Sequence, residues 1–148
     1  MNSKFQFLLC TVLIVILSSN IQAQTFGKII TKKEANILFG PVIDSVKISS
    51  ASLDTIIAKT DKVTMFFVKK SKIAIKGDKQ KVLYNNGVKL DSTDVFNKFS
   101  KSILKELLLS GSSIKAKDIM IEKRSTVMTI TSGDLTLEFG IGCPPLCD

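Results

Sequence analysis

Histidine and tryptophan are absent from the 148 residues, tyrosine occurs once, and Arg124 is the only arginine. Each gap closes off a chemistry. Without imidazole there is no usual general base near neutral pH and no Ser-His or Cys-His nucleophile pair. Zinc, copper and haem sites built on imidazole are excluded as well. No G-x-S-x-G, P-loop or G-x-G-x-x-G segment appears. Carboxylates are scattered singly. Asp44 stands out because its neighbours of the same parity, Val42, Val46 and Ile48, read as buried. A buried acid can work as a raised-pKa catalyst, but a carboxylate at a sheet edge or on a turn is the plainer account.

The scarcity of arginine qualifies the basic charge. Lys and Arg number 21 against 13 acids, for a formal charge of +8. Nearly all of it is lysine, a hydrated point charge without the planar fork that reads phosphates and bases. With so few aromatic platforms as well, nucleic acid is not an expected partner. Diffuse attraction to an anionic surface or an acidic partner is.

Cysteine is sparse too, with three residues. Cys10 lies in an apolar run from Phe7 to Leu17 that follows Lys4 and precedes small and polar residues ending at Ala23. That is the layout of a secretory signal peptide, cleaved after Ala23. The rival is an uncleaved anchor, but the run is short for a bilayer, which takes roughly 20 apolar residues. The expectation is therefore an exported protein, periplasmic or secreted, with residues 24–148 forming one domain. A composition of 45% hydrophobic and 23% charged residues suits a globular chain with its own core. Cys143 and Cys147 then remain as an even pair in an oxidising compartment, which favours a disulfide. Pro144 and Pro145 restrict the short loop between them.

The five residues "CPPLC" also resemble the copper site of the Sco-type copper chaperones. That likeness implies a thiol- or copper-handling protein using Cys143 and Cys147. The family pattern includes a thioredoxin-like fold and a distant histidine ligand, and histidine is missing here. Met65, Met120 and Met128 offer soft thioether ligands, although core packing also explains them.

Local signals divide the rest of the chain. "TKKEANILFG" has Thr31 as N-cap, Glu34 to complete a capping box and Gly40 as a stop, so it predicts a short helix. "VIDSVKIS" reads as a strand, and "SLDTIIAKT" as a second short helix capped by Ser52. "VTMFFVKK" is apolar on both faces, as a central strand is. "KIAIKG" alternates, Ile73 and Ile75 opposite Lys72 and Lys76. Asn86-Gly87 marks a hairpin within "VLYNNGVKL". From 92 to 110 the spacing of Phe96, Phe99, Ile103 and Leu107 predicts a long helix, ended by Gly111. A bulge is expected between Lys117 and Asp118. "STVMTITS" and "DLTLEFGI" read as strands joined at Ser132-Gly133-Asp134. Helix plus three strands thus occurs twice, which suggests an internal duplication. The expected fold class is α+β: a meandering antiparallel sheet packed on one face by the long helix, with one or two short N-terminal helices.

The richest functional signal is a lysine run. Lys69, Lys70, Lys72, Lys76, Lys79 and Lys81 lie within thirteen positions of one another, with Asp78 the one acid among them. They form a candidate docking face for anionic headgroups, glycans or an acidic protein. A solvated sheet face, or lysines guarding an edge strand, is the plainer account. The function expected is a non-catalytic binding or structural module of the cell envelope, without a cofactor.

Overall fold

The computed structural model describes residues 26–110, 118–138 and 141–143, the last three by their backbone course. β1 (Lys28–Thr31) runs straight into α1 (Lys32–Phe39). Thr31 ends the strand and caps the helix: its Oγ1 accepts from the Glu34 N–H at 3.2 Å, and Glu34 Oε2 accepts from the Thr31 N–H at 2.8 Å. The capping box expected from sequence is formed, and Gly40, at φ +72, terminates the helix. β2 (Asp44–Ser49) leads into α2 (Ser50–Ala58) in the same way. Here the cap is Ser49, whose Oγ accepts from the Ser52 N–H at 3.1 Å, so Ser52 sits within the first turn instead of capping it.

After α2 come β3 (Val63–Lys69), β4 (Lys72–Lys76), a short 3₁₀ turn (Asp78–Gln80) and β5 (Val82–Asn85). β6 (Phe96–Ser100) then passes directly into α3 (Lys101–Ser110). β7 (Asp118–Lys123), β8 (Met128–Ser132), β9 (Leu135–Glu138) and β10 (Ile141–Cys143) complete the described chain. The strands form two antiparallel five-stranded sheets, ordered β1-β9-β8-β7-β2 and β10-β6-β3-β4-β5. The α+β class holds, but the described residues form two sheets and three short α-helices in place of one sheet under one long helix.

The long helix expected over 92–110 is the main correction. Only its second half is helical. "FNKFS" pairs with β3, with Thr64 opposite Phe99 and Met65 opposite Lys98. Val, Phe, Asn and Ser are weaker helix formers than the Leu, Lys and Glu that come after them. A spacing of three places Phe96 and Phe99 on opposite faces of a strand, and both rings are buried there. Phe99 joins the main core with Phe66, Ile73 and Ile75, while Phe96 joins a second cluster with Met65, Ala74 and Val88. The Asn86-Gly87 hairpin is also corrected. Asn85 Oδ1 accepts from the N–H groups of Gly87 and Val88 and turns the chain there. Beyond this turn the chain does not pair back as a strand. Val88 instead packs on the outer face of the second sheet. Gly111 and Lys117 lie outside the described residues.

Strand, helix and three-stranded meander do occur twice, with an exchange. β2 precedes α2 yet pairs with β7, in the sheet of the second meander, and β6 precedes α3 yet pairs with β3, in the sheet of the first. Each half therefore completes the other's sheet. One core, with side chains from both sheets, α2 and α3, lies between them.

Asp78 fastens one end of this arrangement. Its carboxylate accepts from the backbone N–H groups of Asp61, Lys62 and Val63 where α2 turns into β3. Partial burial pushes its pKa up, but the backbone donors outweigh that and hold it below the ordinary carboxylate value. A folded-state pKa below the unfolded one adds stability above the unfolded value, near 3.9, which is lost as pH drops through the folded value. Asp78→Ala is expected to lose about 1–2 kcal/mol at pH 7. Urea melts at pH 7 and pH 3 check this: the gap to wild type should narrow at the lower pH.

Candidate anionic-surface interface

The outer face of the second sheet is where the lysines meet the fold. The pairings of Met65 with Lys76, Phe67 with Ala74 and Lys69 with Lys72 place these residues on one face. Down its middle runs an apolar strip of Met65, Phe67, Ala74 and Phe96, capped by Val88. The rings of Phe67 and Phe96 lie 5.4 Å apart. Lysines border the strip. Lys76 Nζ stands 4.2 Å from the centroid of Phe96, and Lys69 Nζ makes a 3.7 Å ion pair with Asp94. Lys72 is exposed, its Nζ 3.4 Å from the Gly87 carbonyl.

Two turns carry the remaining predicted lysines. Lys70 and Ser71 form a two-residue hairpin turn with φ +53 and +54. Left-handed conformation at both central residues is the type I′ geometry, reached here without the usual Asn or Gly. It costs on the order of 1–2 kcal/mol per residue. Asp44 offsets part of that, accepting from the Ser71 N–H at 2.9 Å and from its hydroxyl at 3.2 Å. Asp44 is thus a turn clamp on an edge strand, in line with the plainer account of it. Lys79 repeats the left-handed conformation at φ +54 in the turn between β4 and β5, and Lys81 comes two residues later, both exposed.

The six lysines are therefore not a single cluster. Lys69, Lys70 and Lys72 gather at one end of β4, and Lys76, Lys79 and Lys81 at the other, about 13 Å away by strand rise. Sequence reasoning missed a seventh member. Lys98 pairs in register with Met65, which also faces Lys76, so Lys98 and Lys76 flank one methionine on the same face. A helix over 92–110 had hidden it. The alternation of "FNKFS" was the signal available.

A second feature was hidden by the alternating sequence pattern. The other face of the first sheet holds a buried polar network. Arg124 is 1% exposed. Its guanidinium donates to Glu122 Oε2 at 3.0 Å, Thr129 Oγ1 at 3.1 Å, Asn36 Oδ1 at 2.9 Å and the Gly40 carbonyl. Glu122 Oε2 also accepts from Thr129 and Thr131, and Thr131 is bonded to Thr136. Among the described residues no buried side-chain nitrogen or oxygen lacks a partner. The network ties the last turn of α1 to β7 and β8.

Other sequence candidates separate. Met65 and Met128 are buried in different clusters and Met120 lies on β7, so no thioether site gathers. Cys143 pairs in register with Phe96 on β6, whereas Cys147 lies outside the described residues, and with it the disulfide. No group of three or more His, Cys, Asp or Glu suited to a metal occurs among the described residues. A groove of about 740 Å³ opens between α2 and α3, with Asp54 and Lys105 as its charged lining residues. Comparison with known protein families, curated proteins and solved structures finds no match.

Proposed function

We propose that the protein is an exported, non-catalytic binding module that docks on an anionic surface through the lysines of its second sheet. The observation that carries this reading is the Lys69–Lys72 turn. Two lysines directly opposite across a strand pair repel each other, and a third, Lys70, occupies a costly left-handed position between them. Lys69 reaches Asp94 and Lys72 reaches the Gly87 carbonyl, but the three charges still repel one another, and an anionic surface would relieve that repulsion. Export rests on the signal-like layout of residues 1–23.

The test is charge reversal against a soluble polyanion. A lysine near an anionic surface contributes roughly 1 kcal/mol. Lys70→Glu with Lys72→Glu should therefore weaken binding to dextran sulfate at least about thirtyfold. The melting temperature should hold or rise slightly, because the carboxylate introduced by Lys72→Glu would face Lys69 across the strand pair. Lys59→Glu with Lys105→Glu, exposed positions on or beside the helices, changes net charge equally. Lys98 is unsuitable for that control, since it shares the lysine face. Equal loss in both pairs would reduce the effect to net charge and sink the proposal.

A further inference from the structure

We infer that the anionic surface is a phospholipid bilayer, entered by an apolar patch beside the lysine turn; this rests on the docking proposed above. The patch is formed by the end of α1 and the link to β2. Ile37 is 74% exposed, Leu38 63%, Val42 40% and Ile43 64%. Four large aliphatic side chains are thus left in water within seven positions, whereas the other exposed large apolar residues, such as Val82, Val95 and Leu109, are spread along the chain. Folding does not explain them, because the polar network of Arg124 fixes the end of α1 from the opposite side.

Position and charge select the occupant. Asp44 comes directly after Ile43 and holds Ser71, so Ile43 lies within roughly 10 Å of the Lys69–Lys72 turn. Lys33 shares a helix face with Ile37 at i+4. Lys123, exposed, pairs with Asp44 in register, and its carbonyl accepts from the Ile43 N–H at 2.8 Å. The nearby acids Asp44, Glu34 and Asp94 bond to Ser71, Thr31 and Lys69 and keep their charge, but Lys33, Lys69, Lys70, Lys72 and Lys123 outnumber them. Aliphatic side chains ringed by excess lysine charge fit the two-signal attachment of peripheral proteins, in which shallow insertion and electrostatic attraction are each weak alone. A protein partner is favoured less. The patch has none of the Trp, Tyr or Arg anchors that concentrate energy in protein interfaces, and lysines suit a diffuse field of headgroups better than a fixed acceptor geometry.

The experiment compares phosphatidylglycerol vesicles, phosphatidylcholine vesicles and dextran sulfate, using proteins with the same N-terminus. Wild type should bind phosphatidylglycerol vesicles and keep part of that binding at 0.5 M salt, where the Debye length is about 4 Å and dextran sulfate has dissociated. Ile37→Ser with Ile43→Ser should bind dextran sulfate as wild type does, lose the salt-resistant share and bind vesicles about tenfold more weakly. Because the chain lacks tryptophan, Ile43→Trp gives a single reporter, and its emission should shift to the blue on phosphatidylglycerol vesicles alone. An unshifted emission, or serine variants that bind vesicles like wild type, would overturn the bilayer inference. So would a wild-type dimer that the serine variants dissociate, since the patch would then be a contact between copies. Binding to dextran sulfate without a preference for vesicles defeats only this inference; no binding to either anion defeats the docking proposal beneath it.

Discussion

Arg124→Ala is expected to remove about 3–5 kcal/mol of stability, enough to bring a domain of ordinary stability, about 5–15 kcal/mol, close to unfolding at room temperature. The cost does not come from breaking a surface ion pair, which is worth roughly 1 kcal/mol or less. Arg124 and Glu122 have side chains only 0% and 6% exposed. Deleting the guanidinium strands the Glu122 carboxylate in a dry site with only the threonine hydroxyls as donors. It also leaves the Asn36 amide oxygen and the Gly40 carbonyl without their donor. The latter is a last-turn carbonyl region of α1, a helix with no basic residue of its own in its last turn. Arginine supplies from the end of β7 what the helix lacks.

The pair itself contributes less than its removal costs, and that difference is measurable. Replacing both residues with apolar side chains of similar volume, Glu122→Met with Arg124→Met, should recover most of the lost stability, because no charge is then buried alone. Urea denaturation of the single and double variants gives the comparison. Hydrogen exchange at the α1 amides adds a local readout: they should exchange faster in Arg124→Ala even where the sheets stay protected. A loss under about 1 kcal/mol in Arg124→Ala would mean that water already reaches this network.

Why the network escaped the sequence is a matter of pattern. "IMIEKR", "MTITS" and "LTLE" alternate apolar with polar residues, and such alternation ordinarily means one face in the core and one in water. Thr129, Thr131 and Thr136 are instead buried, at 0%, 3% and 0% exposure. Their hydroxyls satisfy one another and Glu122, so polarity in the sequence did not imply solvent. The one clue was the single arginine two positions from a glutamate of the same parity, since arginine is the cation suited to buried pairs. By contrast, α1 was legible residue by residue, because a capping box and a glycine stop are local devices that need no tertiary partner. β3 was legible as a run apolar on both faces and β4 through its alternation, although the Lys70-Ser71 turn between them carried no Asn-Gly signal. The exchange of β2 and β6 between sheets was not legible at all. Pairing across a long separation leaves no trace in the local pattern. The lysine site suffered accordingly: its six predicted members divided into two groups, and Lys98 entered only once β6 was in place.

The misread segment supplies the other large effect. Phe99 is fully buried, its ring edge-on to Phe66 at 5.7 Å, and Phe96 is 2% exposed against Phe67. Phe99→Ala should cost about 3–5 kcal/mol, and Phe96→Ala, in the smaller cluster, about 3 kcal/mol. Size alone does not distinguish strand from helix, since both arrangements bury both rings. Coupling does. On a helix, residues three apart are neighbours that share partners, and their substitutions interact by roughly 0.5–3 kcal/mol. In β6 the backbone lies between the two rings and each packs in a separate cluster. Their effects should then add to within about 0.5 kcal/mol. Two alanines together exceed the stability of many domains, so the cycle is better run with Phe96→Leu and Phe99→Leu, each costing on the order of 1 kcal/mol. Urea denaturation of the two singles and the double gives the coupling energy. A value above about 1 kcal/mol would contradict the strand. It would return Lys98 to the side of a helix and take from the docking face the lysine that mirrors Lys76 across Met65.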